Sequence, residues 1–182
     1  MRKIFFFIAS MLIIVSCEPK LNTLPQDIDF ENEPDLKIHN FHMLYKMDLK
    51  LRAEAQAPIL RKYTRKKQIT DFPEGVEIKF YDETITEKAY LTADYAINYT
   101  KKQLWKFEGN VLIKNPQGSY LKTQELYFDQ NNQKIYSIKF VEVVDAQGTV
   151  IRGKGGFEAN IDFTRYSFKN VDGVVNYYKT LE

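Results

Sequence analysis

From Trp105 to Asn115 the chain reads WKFEGNVLIKN, with Trp105, Phe107, Gly109, Val111 and Ile113 at every second position. Period two marks a strand with one apolar face, and that face has to lie on other apolar strands. Lys106, Glu108, Asn110 and Lys114 take the opposite face, where Leu112 alone breaks the polar pattern. Related segments recur 30 residues apart: Tyr90-Leu91 returns as Tyr120-Leu121 and more weakly as Val150-Ile151, and Val111, Val141 and Val171 each close an aromatic segment. The aromatic sets around Trp105, Tyr136 and Tyr166 slip by one position between copies, which suits a repeated strand-turn-strand unit with small bulges.

The chain has 182 residues, enough for one domain, and its 13 Phe and 12 Tyr suit pleated surfaces. Lys and Arg total 26 against 24 Asp and Glu, and two of the basic residues, Arg2 and Lys3, belong to an N-terminal segment expected to be removed. The remainder is neutral, without the clustered basic excess of a nucleic-acid binder.

Arg2 and Lys3 precede an apolar run from Ile4 to Val15, which reads as a secretory signal over 1–16 and is too short to span a bilayer. Its end, Ile14-Val15-Ser16-Cys17, resembles a bacterial lipobox, so Cys17, the single cysteine, is the expected lipidation site and the new N-terminus. An ordinary signal peptide and a short buried helix are the competing readings. Residues 17–43 then lose periodicity, gain Pro19, Pro25 and Pro34, and are expected to form a flexible tether reaching roughly 30 Å. His39 and His42, the only histidines, fall inside it; with no third ligand nearby they read as solvated linker residues, and no metal is expected.

The folded part is expected over 44–182. Tyr45, Met47, Leu49, Leu51, Ala53, Ala55 and Ala57 alternate with polar residues, predicting one half-buried strand that Pro58 bends or ends. Arg61, Lys62, Arg65, Lys66 and Lys67 follow, either a solvated edge or a contact for lipid phosphates. Strands are predicted over 76–81, 89–99, 105–115, 120–128, 135–144, 150–152, 157–163 and 166–171, joined as a meander of hairpins. Gly153, Gly155 and Gly156 lack the lysine and helix of a nucleotide loop and are assigned to a corner of the sheet. The expected core is Trp105, Phe107, Val111, Ile138, Phe140, Phe157, Ile161 and Phe168.

No catalytic constellation emerges. Both histidines precede the domain, no serine has a base partner, and Asp94, Glu108, Glu125, Asp129, Glu158 and Asp162 read as solvated acids rather than a paired-carboxylate site. No enzyme activity and no cofactor are expected.

Trp105 with Glu108-Gly109-Asn110-Val111, Leu121 with Thr123-Gln124-Glu125-Leu126, and Gly148-Thr149-Val150-Ile151-Arg152-Gly153 followed by Gly155-Gly156-Phe157 resemble, in order and spacing, the LptC family of periplasmic lipopolysaccharide-transport proteins and the related OstA/LptA-like repeats. The resemblance covers Tyr45 to Gly173. It implies an all-β fold, a twisted, half-open antiparallel jelly roll, and a non-enzymatic conduit for lipopolysaccharide. The implied route runs from an inner-membrane ABC transporter with LptF/LptG-like subunits to an LptA-like periplasmic bridge protein docked edge to edge. Trp105, Phe107, Gly109, Val111, Ile138, Phe140, Phe157, Ile161 and Phe168 would line the trough, with Gly109 shaping it. The better-known relatives anchor through a transmembrane helix, whereas a lipid on Cys17 would hold this chain to a membrane, the inner more readily, facing the periplasm. A scaffold that binds proteins at a sheet edge and carries no lipid is the alternative.

Overall fold

Fourteen strands arise among residues 32–161 and 165–174, the part of the chain that the computed structural model describes. They are β1 (Leu36–Met47), β2 (Lys50–Tyr63), β3 (Ile69–Phe72), β4 (Val76–Tyr81), β5 (Glu87–Ala93), β6 (Tyr95–Tyr99), β7 (Leu104–Lys114), β8 (Tyr120–Asp129), β9 (Lys134–Ser137), β10 (Val141–Val144), β11 (Val150–Gly153), β12 (Phe157–Asn160), β13 (Tyr166–Phe168) and β14 (Val171–Val174). One turn of 3-10 helix, Thr100–Lys102, sits between β6 and β7.

Every pairing is antiparallel, and the register resolves the strands into a meander of long, creased strands. On one side of the crease β2 pairs β4, β4 pairs β5, β5 pairs β7, β8 pairs β10, and β10 and β11 lead to β14. On the other side β2 pairs β3, β3 pairs β6, β6 pairs β7, β8 pairs β9, and β9 and β12 lead to β13. We call these half-sheets A and B. β1, β2, β7 and β8 run unbroken through both, while β3-β4, β5-β6, β9-β10, β11-β12 and β13-β14 are single passes interrupted at the crease. Each 30-residue repeat is therefore one passage from A to B and back. The result is an all-β antiparallel architecture consistent with the jelly roll that the resemblance implies.

Left-handed backbone is confined to two kinds of place. Asn40, Gly75, Gly109, Asn110, Gly156 and Asn170 lie on the crease, and Asp48, Leu49, Gln68, Ile85, Gln103, Gly118, Gln133 and Gly148 lie in the turns. The glycine cluster does form a corner. A Cβ on Gly156 (φ 122°) would stand 2.6 Å from the Ser137 carbonyl oxygen, so only glycine lets β12 approach β9 there.

One core cluster takes side chains from both half-sheets: Val76, Leu91, Val111, Leu121 and Val141 from A, and Phe72, Ala96, Phe107, Leu126 and Phe157 from B. Folding the sheet along its crease is what brings these two apolar faces together.

Two expectations are corrected. The alternation from Tyr45 to Ala57 is a hairpin rather than one strand, because the chain reverses at Asp48 and Leu49, both at positive φ (52° and 62°). Residues 36–43, assigned by composition to the tether, are the first part of β1 and pair along β2, with Phe41 opposite Ala57. Of the two readings of Pro58 the bend holds: β2 runs on to Tyr63, and Pro58 sits exposed at its crease. The signal segment 1–16, Cys17, the tether up to residue 31, Asp162 and Phe163 lie outside the described residues.

Candidate functional site

Half-sheet A carries one unbroken apolar row on its inner face. Met43 faces Ala55, Ala55 faces Ile78, Ile78 faces Leu91, Leu91 faces Ile113, Ile113 faces Leu121, Leu121 faces Val143 and Val143 faces Ile151. With strands about 4.8 Å apart, the row is roughly 34 Å long. Half-sheet B answers with aromatic rings. Phe41, Phe72, Trp105 and Phe107 form a chain with centroids 5.6, 6.1 and 5.9 Å apart, and Phe157, Phe168 and Tyr166 form another at 5.1 and 5.8 Å.

Burial on these inner faces declines away from the crease. In β4 exposure rises from 4% at Val76 through half-buried Ile78 to 37% at Phe80. Val111 and Val141 are buried while Ile113 and Val143, two residues further out, are half-buried. Half-sheet B behaves alike, from buried Phe107 to half-buried Trp105 and from buried Leu126 to half-buried Phe128. The interior is thus closed along the crease and progressively uncovered toward the turns, leaving apolar surface that gains by leaving water at about 25 cal/mol per Å².

Polar groups hold the crease. The Asp94 N–H donates to the Gly109 carbonyl at 3.0 Å, and Asn110 Nδ2 donates to Asp94 Oδ2 at 2.7 Å. Next along, Thr123 Oγ1 lies 3.2 Å from Ser137 Oγ and donates to the Phe140 carbonyl at 2.9 Å, while Ser137 Oγ accepts from the Lys139 N–H at 3.1 Å. Thr123 and Ser137 are buried, and these bonds are what makes that tolerable.

Of the residues expected inward, Phe107, Val111 and Phe157 are buried, and Trp105 and Phe168 pack partly buried against the core. Gly109 sits on the crease at φ 73°, where a Cβ would meet the Asp94 side chain at 2.7 Å. Ile138, Phe140 and Ile161 are not in the core, with exposures of 65%, 48% and 42%. The first two come from a phase error: β9 ends at Ser137 and β10 begins at Val141, so the inward positions are Ser137 and Val141 and the residues between bulge outward. Phe140 instead lines a depression of about 670 Å³ on the outer face with Leu112, Lys122 and Gln124. Ile161 follows the last residue of β12 and lies in the turn toward Gln133.

Leu126 and Val141, both fully buried, are absent from the expected core. Val141 carried a signal in the 30-residue spacing of Val111, Val141 and Val171. Leu126 carried none, since Thr123 and Leu126 both point inward across the crease, a step of three that strict alternation cannot produce.

Glu125, expected to be solvated, is instead buried. Lys106 Nζ lies 3.1 Å from Glu125 Oε2 and 2.6 Å from Glu108 Oε1, and these carboxylates, Glu108 foremost, raise the lysine's pKa. Asp71 is likewise buried and takes both Arg61 Nε (3.0 Å) and Nη2 (2.6 Å), with the Tyr95 hydroxyl at 3.5 Å. Burial, then the Asp71 charge, pushes Tyr95 up to about 12. His42 lies in β1 and bonds Glu54 at 2.8 Å. No group of three or more His, Cys, Asp or Glu is placed to hold a metal, and no helix is long and apolar enough to cross a membrane, among the described residues. These polar groups are paired structural contacts on the outer face, while the inner face carries the continuous apolar row.

The family model for lipopolysaccharide-assembly, LptC-related proteins matches residues 4–174. No curated protein matches the chain.

Proposed function

The chain belongs to the LptC-related lipopolysaccharide-assembly family, and on that premise we propose that its inner apolar face carries the acyl chains of lipopolysaccharide. A role in lipopolysaccharide transport at the periplasm-facing side of the envelope comes with the family, which is a transport and binding component. The observation that supports the finer reading is the unbroken apolar row from Met43 to Ile151 beside an interior that opens away from the crease. Each acyl methylene withdrawn from water gains about 0.8 kcal/mol, and a surface as long as the row offers such contact along its whole length. The phosphorylated sugars would stay at the open side, in water.

In this reading the glycolipid arrives from LptF/LptG-like subunits of an inner-membrane ABC transporter and leaves to an LptA-like bridge, with Cys17 anchoring the chain by its lipid. Passage across strands fits a meander in which inner rows run perpendicular to the chain. β1, which pairs only β2 among the described residues, presents a free edge for main-chain pairing with a neighbour. Trp105, Phe107, Val111, Phe157 and Phe168 stay in the proposed lining; Gly109 contributes the crease.

Ile113→Asp and Val143→Asp test it, since both side chains are half-buried on the inner face and the fold can hydrate a carboxylate there. Lipopolysaccharide co-purifying with the chain from cells should be lost in both. Retention of the glycolipid by a folded Val143→Asp protein would overturn the reading.

β1 also supports a second reading, a protein-binding scaffold without cargo, because Met43, Leu44, Tyr45 and Met47 are all about half exposed along that edge. The scaffold predicts that inner-face aspartates leave partner capture intact and that no glycolipid co-purifies with the unaltered chain.

A further inference from the structure

Three turns at the outer end of half-sheet A are built alike. In turn 82–86 the Asp82 N–H donates to the Thr86 carbonyl at 3.0 Å and the Ile85 N–H to the Asp82 carbonyl at 3.3 Å. Turn 115–119 repeats both bonds with Asn115, Ser119 and Gly118 (3.0 and 3.2 Å), and turn 145–149 with Asp145, Thr149 and Gly148 (both 3.0 Å). The fourth residue of each turn takes left-handed backbone, at φ 64°, 89° and 82°. In the second and third turns that residue is Gly118 or Gly148, and in the first it is Ile85. A Cβ on Gly118 would meet nothing within 4 Å, so glycine answers there to the backbone angle alone. A β-branched side chain is poorly suited to that angle. Ile85 therefore carries a conformational cost, and packing offsets little of it, since the residue is 54% exposed.

The neighbouring hairpin repeats the anomaly. Leu49, at the reversal between β1 and β2, is left-handed at φ 62° and 97% exposed. β2 pairs β4 with Ala53 opposite Phe80, which sets the two turns side by side, and Arg52 Nη2 lies 3.8 Å from Glu83 Oε1 between them. Two strand spacings, about 10 Å, separate the tips. Apolar surface continues from the tips onto the inner face through Met47, Tyr45 and Phe80, which are 48%, 51% and 37% exposed. Tyr45 and Phe80 flank Ala53 in register there. Charge around the tips cancels: residues 46–52 and 82–88 hold Lys46, Lys50, Arg52 and Lys88 against Asp48, Asp82, Glu83 and Glu87.

We propose that Leu49 and Ile85 are a pair of apolar prongs that insert into the acyl region of a lipid bilayer, with Tyr45 behind them at headgroup level. Two aliphatic side chains on separate turn tips fit a fluid surface, which closes round each without a matching pocket. Burial there returns the hydrophobic gain that the fold leaves unused at both positions. Balanced charge leaves apolar burial as the driving force, so anionic lipid is not required. The inference concerns the turn tips and holds whatever the inner face carries. Insertion would turn the open outer end of half-sheet A toward the membrane.

The full chain is placed on phosphatidylcholine vesicles whose lipid carries a photoactivatable acyl chain, and labelled peptides are mapped by mass spectrometry. Labelling per vesicle-bound chain should concentrate in residues 47–49 and 84–86 and be several-fold weaker at the glycine turns 115–119 and 145–149. Added phosphatidylglycerol should leave it unchanged, as should salt at about 1 M, where charge attraction reaches only about 3 Å. In Leu49→Gly/Ile85→Gly, labelling of both tips should fall about ten-fold or more. The melting temperature of that variant should hold or rise, because glycine accepts both backbone angles. Tip labelling no stronger than that of the glycine turns, or undiminished in the double Gly variant, would overturn the proposal. So would tip labelling that needs phosphatidylglycerol and vanishes in salt, which would make the contact electrostatic. A melting temperature lowered by several degrees in the double Gly variant would also overturn it, by assigning both side chains to the fold.

Discussion

Asn110 reaches back across the crease to Asp94, Nδ2 to Oδ2 at 2.7 Å, from a backbone turned left-handed at φ 46°. Gly109 just before it returns the main-chain half of the same contact by accepting the Asp94 N–H. This pair fixes where β7 leaves half-sheet B for half-sheet A, and so which of its residues face the interior. The Glu-Gly-Asn-Val string is therefore a crease device whose consequence is the placing of Phe107 and Val111 on one inner surface.

Gly109→Ala should cost more than Asn110→Ala. Alanine at φ 73° is strained by about 1–3 kcal/mol before its Cβ meets Asp94, whereas losing the Asn110 side chain removes one hydrogen bond worth about 1 kcal/mol. Urea unfolding of the full chain in mild detergent checks the order, and an Asn110→Ala loss equal to that of Gly109→Ala would contradict it.

The phase of β9 and β10 gives a second test. Leu126→Ala should destabilise by about 2–5 kcal/mol, since the side chain is fully buried, while Ile138→Ala should stay within about 0.5 kcal/mol. A large loss at Ile138 would restore the inward assignment that strict alternation suggests.

Lys106 and Glu125 should couple strongly. Lys106→Ala leaves the buried Glu125 carboxylate without its cation and should cost about 2–4 kcal/mol, and Glu125→Gln in the same chain should recover most of it. A double-mutant cycle near zero would show that solvent screens the pair.

Acid should loosen the acidic turns. The Thr84 hydroxyl, with the Thr86 and Thr84 N–H groups, holds Asp82 below the ordinary aspartate range, and despite partial desolvation the Thr149 and Gln147 N–H groups do the same for Asp145. A carboxylate lowered in the folded state stabilises above its unfolded pKa of about 3.9, and that contribution fades as pH falls toward the folded value. The melting temperature should be level from pH 7 to about 5 and decline below about 4, less steeply in Asp82→Asn, which keeps an acceptor but does not titrate there. An identical acid limb in Asp82→Asn would sink the assignment.

Much of this fold is legible in the alternation, because the inner and outer faces of β4, β7 and β10 differ in polarity as period two requires. The 30-residue spacing also had a structural cause, one passage across the crease and back. Two things stayed hidden. The reversal at Asp48-Leu49 uses only two residues and neither is glycine, so alternation from Tyr45 to Ala57 runs on through a turn that ordinarily announces itself as Asn-Gly. The crease shifts the inward phase by a step of three from Thr123 to Leu126, turns residues 138–140 outward between buried Ser137 and Val141, and buries two hydroxyls, those of Thr123 and Ser137. Phe107, Val111 and Phe157 keep the phase that alternation predicts, whereas Ile138 and Phe140 fall on the outward stretch between Ser137 and Val141.

The central claim is that the inner face holds acyl chains, and site-specific photo-crosslinking in cells tests it most directly. A benzophenone residue at Ile113, Val143 or Trp105, all inward and half-buried, should capture lipopolysaccharide, while one at Ile138 or Lys122, on the outer face, should not. Capture at the outer positions with none at Ile113 and Val143 would contradict the account.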